Sequence, residues 1–135
     1  MVQQRTDQLK VAEDRFSEAF NASPLAQCIQ TLPEGRIVEV NHAYEALCGL
    51  SKAETIGLTS DNFPKFTNVE VWRQSLQRLS KGESIDKASQ SFVDVDGQTR
   101  HFQYFARRIV INDAPHCLWL FHEVTEQQHL ERQLR

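Results

Sequence analysis

The stretch Arg15–Leu58, RFSEAFNASPLAQCIQTLPEGRIVEVNHAYEALCGLSKAETIGL, decides the fold. It begins inside a helical run. Residues 1–21 hold no Pro or Gly and are rich in Gln, Arg, Lys, Glu and Ala, which predicts a helix. Pro24 breaks that pattern. Leu25–Thr31, with Cys28 and Ile29 in it, predicts a short strand. Pro33-Glu34-Gly35 predicts a turn. Arg36–Val40 alternates charged and β-branched residues, so it pairs with the first strand as a hairpin. Asn41 then stands where a side-chain oxygen can accept a free amide of the next helix. That helix, His42–Cys48, stops at Gly49, which tolerates the left-handed cap. Ser51 and Glu54 stand three apart as a capping box for another short helix, ended by Gly57.

Beyond this stretch, Leu58–Thr67 reads as a loop containing Pro64. Thr67 or Asn68 caps a helix that runs to Lys81 and stops at Gly82. Val69, Trp72, Leu76 and Leu79 share one face of it. The period then changes to that of strands. Ile85–Val95, Thr99–Ile111 and His116–Val124 are predicted strands, turned by Asp96-Gly97 and Asn112-Asp113. On the middle strand, alternation sets Phe102, Tyr104 and Ala106 on one face and His101, Gln103 and Phe105 on the other. Thr125 and Gln128 form a second capping box, and Leu130 and Leu134 continue outward at coiled-coil spacing. This order predicts an α+β domain: a five-stranded antiparallel sheet with helices over one face, flanked by N- and C-terminal helices. Its parts are a helix over 1–21, the domain over 22–124, and the start of an exit helix over 125–135.

Composition narrows the function. The chain has 135 residues, enough for one domain, and 8 Phe, 2 Trp and 2 Tyr to build its core. With 15 basic against 18 acidic residues the formal net charge is -3, so no basic face for nucleic acid is expected. No apolar run approaches the roughly 20 residues of a membrane span, so no membrane partner is expected for this segment. The three cysteines, Cys28, Cys48 and Cys117, form no CxxC pair and sit among apolar neighbours. Reduced, buried thiols and a cytoplasmic setting follow. No phosphate loop, Gly-x-Ser-x-Gly or HExxH occurs, and the chain itself is not expected to be an enzyme.

The motifs of Arg15–Leu58 resemble the first half of a PAS domain: Phe16 and Phe20 before Ser23-Pro24, Gly35-Arg36-Ile37, then Asn41, Ala43, Tyr44, Leu47 and Gly49, and Ser51, Glu54, Ile56 and Gly57. DVDGQTRHFQY (94–104) is similar to the family's hairpin between long strands. FHEVTEQQHLERQLR (121–135) is similar to its exit motif, with Glu123-Val124-Thr125 where the family has Asp-Ile-Thr. The resemblance implies a sensory or dimerisation module of a larger bacterial-type signalling protein, such as a two-component histidine kinase or a cyclic-di-nucleotide enzyme. A C-terminal output domain is then expected beyond the exit helix. It also implies a homodimer built through flanking helices. A seam of Val2, Leu9, Ala12, Phe16 and Ala19, spoiled once by Arg5, suits that role; the alternative is an amphipathic helix packed on its own domain.

Some members hold haem, flavin or metabolites between sheet and helices. A covalent flavin adduct is disfavoured, because the family's Asn-Cys-Arg-Phe-Leu-Gln motif is absent and Cys48 lies outside any such string. Haem is disfavoured too: the long helix carries no His, and His42, His101, His116, His122 and His129 lie at a cap, on strands or on the exit helix. No two histidines have metal-ligand spacing on one element, so no metal is expected. The cofactor is therefore left unassigned. The candidate pocket residues are Gln27, Ile29, Tyr44, Leu47, Trp72, Phe92, Tyr104 and Trp119. Trp72, Phe92 and Trp119 suit core or dimer contacts better than stacking platforms for a ligand. Two functions stay open: a sensor whose pocket binds a small molecule and whose junction Glu123-Val124-Thr125 relays it, and an unliganded interaction and dimerisation module with a packed core.

Overall fold

The computed structural model describes residues 2–59, 69–93 and 96–134, with side chains from residue 8 onward and excepting Val69. Its elements run α1 (Val2–Ala22), β1 (Ala26–Thr31), β2 (Ile37–Val40), α2 (His42–Cys48), α3 (Lys52–Thr55), α4 (Val69–Ser80), β3 (Ile85–Val93), β4 (Thr99–Ile111), β5 (Ala114–Val124) and α5 (Glu126–Gln133). The strands form one sheet in the order β2-β1-β5-β4-β3, and every neighbouring pair is antiparallel. The fold is α+β, as the element order predicts. The Val2 and Val69 side chains, the Thr67 or Asn68 cap, and the far end of the predicted strand at Val95 lie outside the described residues.

Local chemistry sets the ends of these elements. Gly49 closes α2 at φ 72° and returns its amide to the Glu45 carbonyl. Both halves of the Ser51–Glu54 capping box are made. The last hairpin is tighter than its sequence suggests. Asn112 and Asp113 both adopt positive φ, 50° and 63°, so β5 begins at Ala114 rather than at His116. Gly35 adopts φ 74°, a conformation that favours glycine. A Cβ there would lie 2.5 Å from Leu76 Cδ1, so the β1–β2 turn sits directly on α4.

The core lies between one face of the sheet and helices α2 to α4. It joins Cys28, Ile37, Val40, Tyr44, Cys48, Trp72, Leu76, Leu79, Ile85, Tyr104, Ala106, Cys117 and Trp119. Cys28 lies opposite Trp119, and Trp119 opposite Ala106, so this face is one continuous band across three strands. Alternation then assigns Gln27, Ile29, Leu118, Leu120, His101 and Gln103 to the outer face.

Asn41 ties three elements to that core. It is fully buried. Its Oδ1 accepts from the backbone amides of Tyr44 at 3.0 Å and Gln27 at 2.9 Å. Its Nδ2 donates to the carbonyls of Phe20 at 2.8 Å and Leu25 at 2.9 Å. One side chain thus caps α2, closes the end of α1 and fixes the start of β1.

Candidate functional site

The concavity between sheet and helices is built from aromatic rings. Trp72 of α4 lies 5.0 Å from Tyr104, 5.0 Å edge-on from Trp119 and 5.7 Å from Phe121, centroid to centroid. Tyr44 of α2 meets Phe121 at 6.1 Å. These separations are those of favourable ring pairs. Of the candidate pocket residues, Tyr44, Trp72, Tyr104 and Trp119 therefore come together, with Leu47 half-buried beside them. Phe92 lies on the core side nearer the sheet's edge, stacked on Phe102 at 4.8 Å. Gln27 and Ile29 lie on strand positions that alternate away from this face, so the structure does not bring them to the concavity. The reading from sequence missed Phe121 and Phe102. Each stands two positions from a chosen aromatic on its own strand, and that spacing was the available clue.

Three thiols accompany the rings. None is in a disulfide, and all are buried. Burial holds the Cys28 thiol well above its ordinary pKa, helped by Cys117 and Cys48. Burial also raises Cys117 to about 12, against the opposing hydrogen bond from Trp119 Nε1 at 3.1 Å. The Tyr44 hydroxyl is raised by burial first, then by Cys28 and Cys48. Such groups stay protonated and pack as neutral surface; they are poor nucleophiles and poor metal ligands. Among the described residues no three His, Cys, Asp or Glu side chains are placed to hold a metal ion.

At one end the concavity opens into a groove of about 440 Å³ between α2 and the ends of β4 and β5. Ala43, Ala46, Leu47, Phe102 and Phe121 give it apolar walls, and Arg100 and Glu123 form its polar rim. The two rim residues are paired through both carboxylate oxygens, with Arg100 Nη2 2.8 Å from Glu123 Oε1. The Arg100 guanidinium also sits 5.8 Å from the Phe102 ring centre.

The groove ends at the exit junction. Val124 is buried. Thr125 Oγ1 accepts the Gln128 amide at 3.1 Å, and Gln128 Oε1 accepts the Thr125 amide at 3.0 Å. Glu123, Val124 and Thr125 are thus an ion-pair partner, a buried anchor and a helix cap in consecutive positions. The N-terminal seam residues Leu9, Ala12, Phe16 and Ala19 are all exposed, and Phe16 stacks on Phe20 of its own helix at 5.4 Å.

A family model described as PAS domain matches residues 14–84, more than half of the chain. The chain belongs to the PAS domain family. Its fold is shared with solved PAS domains at low identity. That of an HTR-like protein from Haloarcula marismortui is 20% identical, with a TM-score of 0.75 over 90% of this chain and 99% of that one. A PAS domain from a two-component sensor histidine kinase is 8% identical, TM-score 0.68, covering 85% and 98%. The PAS domain of nitrogen regulation protein NR(II) from Vibrio parahaemolyticus is 20% identical, TM-score 0.64, covering 80% and 96%. Among curated proteins none matches. No described helix of this PAS domain is long and apolar enough to cross a membrane.

Proposed function

We propose that this PAS domain is the sensory module of a larger signalling protein and passes the state of its aromatic concavity to α5. The observation that carries this reading is the course of β5. One unbroken strand runs from Trp119 and Phe121, inside the concavity, through Glu123 on the rim, to the capped start of α5 at Thr125. A ligand that enters the groove must press on Leu47, Phe121 or the Arg100–Glu123 pair. Phe121 and Glu123 stand on the strand that leads straight into the exit helix, and Arg100 is bonded to Glu123. A small, largely apolar molecule with one polar group suits these walls and rim. The output domain is a histidine kinase or cyclic-di-nucleotide enzyme in this reading, and the exposed faces of α1 and α5 join two copies of the chain.

A second reading has its own support. The rings of Trp72, Tyr104, Trp119 and Phe121 occupy much of the described interior, which favours an unliganded relay and dimerisation module. Native mass spectrometry of the purified chain separates the two, with Ala46→Trp as the variant that fills the groove. A co-purified small molecule present in the natural chain and lost in Ala46→Trp supports the sensor. No bound molecule, with unchanged basal output of the full-length protein when Ala46 is Trp, supports the packed module.

A further inference from the structure

Among the described residues, the exit helix meets the sheet at His101 of β4, through His129 and Glu126. Every side chain of α5 is exposed except His129, which is half-buried. The His129 ring lies flat on that of His101, with centroids 3.9 Å apart and planes 8° from parallel. His101 is on the outer face of the sheet yet only 9% exposed. Its Nδ1 is 2.7 Å from the Ser91 hydroxyl of β3. Its Nε2 has no hydrogen-bond partner; Glu126 Oε2 of α5 faces it at 3.6 Å, outside hydrogen-bond reach. An aliphatic pair would hold a helix to a sheet without leaving a buried polar atom unpaired. The choice of two imidazoles makes the contact depend on protons.

We propose that the His101–His129 stack is a proton-operated latch that holds α5 on the sheet and lets it go when both rings are charged. With no proton bound in excess, two neutral rings stack and Nε2 is left unsatisfied. One proton on His101 makes both ring nitrogens donors, so that Nε2 turns an N–H and a positive charge toward the Glu126 carboxylate, and a neutral His129 still stacks on it. That state is the tightest. A second proton puts two like charges 3.9 Å apart with one carboxylate beside His101 to offset them, and the helix leaves. Histidine is the side chain that ordinarily changes charge between pH 5 and 8, and a pair in contact gives up its protons in two coupled steps.

The surroundings do not oppose this sign. β3 presents the uncharged Ser91, and β5 presents Val124 opposite His101. His122 lies diagonally across on the same face and can only add positive charge in acid. Arg100, next to His101 on β4, alternates to the other face and is held by Glu123. On α5 the remaining charges near the pair are Glu126 and, three residues beyond His129, Arg132. Glu131, two residues beyond His129, takes a hydrogen bond from Gln127, so among the described residues Glu126 is the one carboxylate brought to the stack.

The use of such a latch in signalling rests on the relay reading above, but the latch itself is measured on this chain alone, so the two can fail separately. The experiment is an NMR titration of the 135-residue chain from pH 7.5 to pH 5, following the ring protons of His101 and His129. The ring-to-ring cross-relaxation present at pH 7.5 should disappear as the second ring takes its proton. Amide exchange in α5, corrected for intrinsic rate, should then rise about tenfold or more, since two unit charges at this separation repel by ~5-fold in bulk water and ~1000-fold near a protein surface. Glu126→Gln should move the release to higher pH. His129→Phe keeps a stacked ring without the proton and should leave α5 docked at pH 5, with the sheet spectrum as the check that it folds. Cross-relaxation that survives with both rings charged overturns the proposal, and so does a His129→Phe chain that releases α5 in acid as the natural one does.

Discussion

Asn41 carries more than its place in the sequence suggests. Read locally, it is a helix cap worth about 0.5–2 kcal/mol. In the fold its four hydrogen bonds serve Tyr44, Gln27, Phe20 and Leu25, and it is fully buried. Asn41→Ala leaves two amides and two carbonyls without that partner, and each buried orphan costs about 1–3 kcal/mol. We expect a loss of about 3–5 kcal/mol in urea unfolding; a loss below about 1 kcal/mol would mean that water replaces the amide freely. Asn41→Asp keeps both accepted bonds and sets a carboxylate against two carbonyls, so it should fall in stability as pH rises through the carboxylate range. The cap was legible because it is a local pattern. The other three bonds reach back 14 to 21 residues, and nothing in the spacing of the sequence announces them. Cys117 shows the same division. Its burial was expected from apolar neighbours, but the pKa of about 12 comes from the fold around it. Because the folded value lies above the ordinary 9.0, the folded state keeps a proton that the unfolded state gives up. That contribution is complete below pH ~9 and is lost as pH rises through ~12. Cys117→Ala should therefore be less stable than the natural chain at pH 8, with the gap narrowing by pH 10.5 in paired urea melts. A constant gap across that range would remove the thiol from the alkaline loss.

At the scale of elements, α5 is the one whose stability is most exposed to small changes. Eight residues are too few to hold a helix in water without help. The help comes from the Thr125–Gln128 capping box at its start and the His101–His129 contact one turn on. Thr125→Ala removes one half of the box, a cost of about 1 kcal/mol, which is a large share of what a short helix has. Amides of α5 should exchange several-fold faster in that variant, while those of β4 and β5 keep their protection. In the full-length protein we expect altered basal output with ligand affinity little changed. If the helix is demonstrably loosened and output does not move, the junction is not the relay. The capping box was visible in the sequence because its two members stand three apart. The stack was not, because His101 and His129 meet only when β4 is laid beside β5 and the chain turns back at Val124. Strand alternation separated the two faces of β4 correctly, but only the packing of α2 to α4 shows which face is inside.

At the scale of the whole molecule, apolar surface is left over at both ends of the chain. Leu9, Val11 and Phe16 on α1 and Leu130 and Leu134 on α5 are all exposed. On α1 every residue from Gln8 to Ala19 is exposed, and the first buried side chain among the described ones is Phe20, whose carbonyl Asn41 binds. The helix is thus anchored at one end and presents Leu9, Ala12, Phe16 and Ala19 along its length. A second copy of the chain would cover this stripe at the seven-residue spacing of a coiled-coil seam. Two features make that seam weak. Alanine at two of its positions buries little area, and Phe16 already spends one ring face on Phe20 of its own helix. Association should accordingly depend on concentration and on the first turns of α1. Deleting residues 1–13 removes Leu9 and Ala12 while leaving the Phe16–Phe20 stack and the Asn41 anchor in place. Light scattering at matched concentrations should then find the natural chain dimeric and the shortened chain monomeric, with equal melting of the sheet showing that the domain itself is intact. A shortened chain that stays dimeric would place the interface elsewhere, and the exposed Leu130 and Leu134 of α5 are where substitution by Gln should next be tried.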